Sequence, residues 1–328
     1  MEARKSAISV ILASFVIFFA GCGKDSGGFS PTMPSLIESG SGSDATEPTA
    51  NRADLSMWSP CIVIHTPGEV LQAYQKVIPE LMASGALKCV RISVTKGEGK
   101  NFVNEWIASS TGLDILWVLD NYYLFDPNIE QVVDQVMAWY PSIRYLEIGN
   151  ETTTILLKNG PQISIETYMG TLKRIYAYVQ TRYPNVILLT QSTFGSGTHG
   201  ALELEKMVEL GLRDMSPNKL IIAMNVYSIA SASHYSSVVN RLGLRKQGQS
   251  YRIWVTETGI TDPNNHIGFV QEMYPYLTNV LRPERIFWYC LYCGEAGQYG
   301  DHHGYGLIRE VAGSSFWKSP LYWALAKR

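Results

Sequence analysis

From residue 61 onward the chain alternates two kinds of hydrophobic pattern. Short runs rich in Val, Ile, Leu and Trp recur near 61–65, 88–94, 114–119, 143–149, 186–191, 219–226, 251–256 and 285–291. Between and after them lie segments whose apolar residues repeat at helical spacing, near 67–83, 101–110, 128–139, 164–182, 200–210, 234–246, 266–280 and 317–326. Strands buried on both faces read as near-continuous apolar runs, and regular strand–helix alternation belongs to a parallel sheet. Eight such units within about 270 residues predict an α/β fold, a single closed (β/α)8 TIM barrel, rather than an open doubly wound sheet. No glycine-rich nucleotide fingerprint follows any of the runs, which argues against nucleotide chemistry.

The residues before the first strand have a different character. Arg4 and Lys5 precede an apolar run from Ala7 to Ala20, and small residues lead to Cys22. These are the three parts of a secretory signal, and the run is shorter than the roughly 20 residues that span a bilayer. From Gly23 to about residue 54 the chain is dominated by Gly, Ser, Thr, Pro and Asp, a composition with little to bury that predicts a flexible tether. The organisation read from the sequence is therefore a signal over 1–21, a linker over 22–56 and one catalytic-type domain over 57–328. Phe19-Ala20-Gly21-Cys22 resembles a bacterial lipobox, with Phe19 where Leu is usual. That resemblance implies cleavage before Cys22, a lipid on its thiol, and an exported protein held on a bacterial membrane. An uncleaved anchor helix and plain secretion are the alternatives.

Charge removes some partners from consideration. The net charge is −2 and the Lys and Arg residues form no run, so there is no electrostatic footprint for nucleic acid. The 19 Tyr and 8 Trp suit the faces of sugars, but they suit the core of any large α/β domain equally well. Four cysteines fall in the folded part: Cys61, Cys89, Cys290 and Cys293. Export permits disulfides among them. Cys290 and Cys293 have a metal-like spacing, yet no second Cys or His pair stands at zinc-site spacing, so core thiols or a disulfide are expected. His302 and His303 are expected to shape a subsite or the surface. No metal and no cofactor is predicted.

Reacting groups of a (β/α)8 barrel lie at the carboxyl ends of its strands. Two glutamates occupy such positions: Glu151 at the close of Tyr145-Leu146-Glu147-Ile148-Gly149-Asn150-Glu151, and Glu257 within Ile253-Trp254-Val255-Thr256-Glu257-Thr258-Gly259. Two carboxyls in opposite protonation states suffice to cleave an acetal. An Asn-Glu pair ending the fourth strand and a Glu ending the seventh resemble the pattern of the retaining glycoside hydrolases of clan A. The resemblance implies that Glu257 is the nucleophile and Glu151 the acid/base, with carboxyl oxygens about 5 to 5.5 Å apart. It further implies that Arg91 and Tyr227 support the nucleophile, that Asn150 meets the sugar 2-hydroxyl, and that Trp288 floors the site. Tyr305-Gly306-Leu307-Ile308 and Lys318-Ser319-Pro320-Leu321-Tyr322 also match the clan's pattern. The expected partner is a poly- or oligosaccharide, β-linked, with the membrane reached through the lipid on Cys22. A non-catalytic glycan-binding lipoprotein and a transglycosylase using the same two glutamates are the competing readings. Asp120, Asn121, His199 and Asp301 are weaker subsite candidates, and Glu147 is expected in the interior layers or as a supporting hydrogen-bond partner.

Overall fold

The computed structural model describes residues 54–153, 162–194, 197–248, 250–294, 302–313 and 315–328. The signal over 1–21, Cys22 and the linker up to residue 53 lie outside these, as does Asp301. No helix among the described residues is long and apolar enough to cross a membrane.

Eight parallel strands close on themselves in sequence order. They are β1 (Cys61–Val63), β2 (Cys89–Val94), β3 (Asp114–Leu119), β4 (Tyr145–Ile148), β5 (Ile187–Leu189), β6 (Leu220–Asn225), β7 (Arg252–Thr258) and β8 (Arg285–Trp288). The helices are α1 (Leu71–Ala83), α2 (Phe102–Ser110), α3 (Ile129–Trp139), α4 (Ile165–Arg182), α5 (His199–Glu209), α6 (Ile229–Arg241), α7 (His266–Val280) and α8 (Pro320–Ala326). The TIM barrel expected from the apolar periodicity is the fold the chain adopts.

Two hydrophobic clusters follow from the period-two alternation of strand side chains. One fills the barrel and includes Cys61, Val63, Cys89, Leu116, Tyr145, Leu189, Ile221, Ala223, Trp254 and Phe287. The other lies between strands and helices and takes the alternate residues, such as Val90, Ile92 and Val94 of β2 and Ile253 and Val255 of β7. Register pairs Cys61 with Cys89 on adjacent strands, and their sulfurs are joined. Cys290 and Cys293 are joined as well. Of the alternatives left open for these cysteines, the disulfides are what forms.

Two segments depart from the periodic pattern. Helix α6 starts at Ile229 rather than near 234 because Ser228 caps it, its Oγ accepting from the Ser231 N–H at 3.2 Å. It stops before Gly243, which sits at φ +60° and ends the helix in a left-handed turn. The last segment, read as one helix over 317–326, begins instead in the end of β10 (Ser315–Lys318), which pairs antiparallel with β9 (Ile308–Ala312). Only then does Ser319 cap α8, with Pro320 at its first position.

Candidate active site

The mouth of the barrel is organised around one buried cation. Arg91 faces inward on β2, is 4% exposed, and reaches four groups at once. It donates to Glu147 through Nε at 2.7 Å and Nη2 at 2.9 Å, to Glu257 through Nη1 at 2.6 Å, to Asn150 Oδ1 through Nη2 at 2.9 Å, and to Ser192 Oγ through Nη2 at 3.5 Å. Burial works against the guanidinium charge, but Glu147 and Glu257 more than offset it and hold Arg91 protonated. Glu147 is fully buried and also accepts from the Ser192 backbone N–H at 3.2 Å and from the Ser192 hydroxyl. It is thus the supporting partner expected of it.

Glu257 reaches this network because β7 carries an extra residue. Register runs from Met224 paired with Val255 to Asn225 paired with Glu257, so Thr256 is bulged out of the pairing. Strict alternation would send Glu257 toward the helices, on the side of Ile253 and Val255. The bulge lets Thr256 and Glu257 both join the inner network. Thr256 Oγ1 is 2.5 Å from Ser192 Oγ and donates to Asn225 Oδ1 at 3.1 Å, while Glu257 Oε2 accepts from the Tyr227 hydroxyl at 2.6 Å. Burial first, and the Glu257 charge second, raise the Tyr227 pKa well above the ordinary phenol value, so its O–H remains a donor.

Glu151 follows a tightly specified turn. Gly149 lies at φ +77°, and a Cβ there would stand 2.5 Å from Thr152 Cγ2 and 2.8 Å from Leu124 Cδ1, so only glycine fits. Asn121 then pins the next peptide, donating to the Asn150 carbonyl at 2.7 Å and accepting from the Asn150 N–H at 2.7 Å. Glu151 itself sits at φ +51°, an uncommon conformation for a residue with a side chain. Its Oε1 accepts from Asn225 Nδ2 at 2.8 Å. Burial and the neighbouring Glu257 charge push its carboxyl up to about 8, against the opposing pull of the Asn225 bond and Arg91.

Five of the six predicted catalytic and substrate-binding residues, namely Arg91, Asn150, Glu151, Tyr227 and Glu257, therefore converge. Trp288 does not. It is fully buried outside the barrel, against Trp58, His266 and Phe269, and its Nε1 donates to the Tyr305 carbonyl at 3.1 Å. The reason is parity: Phe287 faces inward on β8, so Trp288 must face the helices. The next residue, Tyr289, packs against the interior instead, as Tyr305 does, with its ring edge-on to Tyr227 at 6.4 Å and Tyr305 at 5.4 Å. Its hydroxyl lies 3.2 Å from His65 Nε2.

Asn121, a weaker candidate in sequence, proves to hold the backbone next to Glu151. Asn225 and Ser192, which sequence reasoning missed, end β6 and follow β5. Polar residues immediately after apolar runs are the signal that could have found both. Asp120 accepts from the Tyr122 N–H at 2.9 Å and caps a 3-10 turn, and His199 is exposed at the start of α5.

No family model matches the chain, and no curated protein sequence does so. Similarity appears among solved structures. A family 51 α-L-arabinofuranosidase from Bifidobacterium longum superposes with a TM-score of 0.56 at 10% identity, over 84% of this chain and 73% of that one. An endo-1,4-β-mannanase from Rhizomucor miehei gives 0.52 at 13% identity, over 83% of this chain and 95% of the other. A β-glucosidase from Exiguobacterium marinum gives 0.50 at 10%, over 79% and 87%. At such identities the likeness is one of fold, and the proteins sharing it are glycoside hydrolases.

Proposed function

We propose that the protein is a retaining glycoside hydrolase that cleaves β-linked poly- or oligosaccharides, with Glu257 as nucleophile and Glu151 as acid/base. The observation that carries this reading is the contrast between the two carboxyls. Glu257 accepts from a guanidinium and a phenol, donors suited to a carboxylate. Glu151, pushed up to about 8, holds its proton at neutral pH.

In the first half-reaction Glu257 attacks the anomeric carbon while Glu151 protonates the departing glycosidic oxygen. The ester that forms carries no charge, so the main electrostatic cause raising the Glu151 pKa disappears. Glu151 can then take a proton from water, which attacks the same carbon and restores Glu257. Asn150, its Oδ1 occupied by Arg91 and Asn225, has its NH2 group left for a sugar hydroxyl. A lipid on Cys22 and the linker behind it would hold the barrel at a bacterial membrane, within reach of polymeric substrate.

Incubation of the chain with a panel of β-glycans, followed by reducing-end assay and by NMR of the first-formed anomer, tests the proposal. Release with retention is expected from the wild type, with a loss of roughly 10³-fold or more in both Glu257→Ala and Glu151→Ala. Binding without release would sink hydrolysis in favour of a glycan-binding protein, and transfer to added sugar in place of water would identify a transglycosylase.

A further inference from the structure

Three more side chains with ligand chemistry meet beside the carboxylate pair. Cys290 and Cys293 follow β8, and His65 follows β1. One ligand atom from each, the two sulfurs and an imidazole nitrogen, lie within 4.8 Å of one another. The first and eighth strands are direct neighbours where the barrel closes, with Cys61 opposite Phe287 and Ile62 opposite Trp288. That closure brings His65 to the Cys-x-x-Cys segment from the far end of the chain. The two cysteines are buried, at 0% and 3% exposure, whereas His65 is open to solvent and gives an ion a way in.

Two thiolates and one imidazole form a zinc-type donor set that leaves a fourth tetrahedral position for water or another ligand. In the oxidised chain the sulfurs are bonded to each other and offer no thiolate. We propose that His65, Cys290 and Cys293 form a redox-gated site for a thiophilic divalent cation such as Zn²⁺, open only when the Cys290–Cys293 disulfide is reduced. A dithiol reductant opens it: two electrons and two protons pass to the disulfide, the S–S bond breaks to two thiols, and the reductant becomes its own disulfide. Zn²⁺ binding then displaces the two thiol protons. His65 Nε2 also lies 3.2 Å from the Tyr289 hydroxyl, which ties the site to the aromatic wall beside Glu257. The proposal does not depend on which glycan is cleaved, or on cleavage itself.

Cobalt(II) titration of the full chain tests it, with Cys22→Ser carried throughout to remove the leader thiol. After reduction by an immobilised dithiol, one equivalent of Co²⁺ is expected to bind with a thiolate-to-metal charge-transfer band, displaced by Zn²⁺. The oxidised chain is expected to show none. Cys293→Ser abolishes the band, and His65→Ala, a change at an exposed residue, weakens Co²⁺ affinity on the order of tenfold or more with both thiols intact. A reduced chain without the band, a band that survives Cys293→Ser, or unchanged affinity in His65→Ala each overturns the proposal.

Discussion

Two arginines enter this barrel from opposite ends, and their surroundings differ in kind. Arg91, at the mouth, is bound by the carboxylates of Glu147 and Glu257 and by the Asn150 amide. Arg285, at the start of β8, pairs with Asp114 at 2.5 Å and lies over the rings of Trp254 at 4.2 Å and Tyr145 at 5.0 Å. At the floor, the cation's faces are covered by aromatic surface and it plugs the barrel. At the mouth, every guanidinium nitrogen donates to a polar atom, and the two carboxylates it serves have different roles, since Glu147 is fully sealed in while Glu257 keeps a small exposure. The difference separates a charge that stabilises a packed layer from a charge that arranges reactive groups.

Removing Arg91 is the severest test of that distinction. Arg91→Met leaves Glu147 buried without its cation and unhooks Glu257 and Asn150 together. A loss of about 3 to 5 kcal/mol in unfolding free energy is expected in denaturant titration. Glycan turnover measured under conditions where the variant is still folded is expected to fall by about 10² to 10³-fold. Stability lost with turnover intact would move Arg91 into the same class as Arg285.

Trp288 and Tyr289 sharpen the comparison, since these adjacent residues at the end of β8 face opposite layers. Trp288→Ala removes a fully buried side chain from the helix-facing core and is expected to cost about 3 to 5 kcal/mol, with KM little changed in the remaining folded enzyme. Tyr289→Phe is expected to leave the thermal midpoint nearly unchanged while raising KM. The opposite pattern would return Trp288 to the site.

The pH profile follows from Glu151. Its folded pKa of about 8 exceeds the ordinary value of 4.5, so the native state binds more protons between those limits. Its contribution to stability is therefore greatest below about pH 4.5 and declines as pH rises toward 8. In kcat/KM the same group sets an alkaline limb near pH 8. Asn225→Ala, which removes a bond to the charged form, is expected to move that limb to higher pH. An unmoved limb would assign it to another group. The smallest effect is at the floor: Arg285→Met is expected to cost about 1 kcal/mol in thermal or chemical unfolding and to leave kcat/KM unaltered.

Much of this molecule was legible in one dimension. Eight apolar runs separated by helical segments are enough to specify a closed parallel barrel, because strand burial and helix amphipathicity are local properties of the chain. The positions of Glu151 and Glu257 at strand ends followed from that count, whereas Arg91 and Tyr227 were expected only from the resemblance to clan A. The reach of Asn121 to the Asn150 peptide and of Asn225 to Glu151 was not legible, since these contacts join residues brought together only by barrel closure.

What the sequence by itself determined is the barrel, its strand order and the residue types offered at its mouth. What only the tertiary structure decided is orientation. The bulge in β7 turns Glu257 inward, unbroken alternation in β8 turns Trp288 outward, and closure of β1 on β8 sets His65 beside Cys290 and Cys293. The first two share a physical reason. A strand side chain has only two faces to choose between, and a one-residue shift in register, set by pairing with a neighbour distant in sequence, exchanges them.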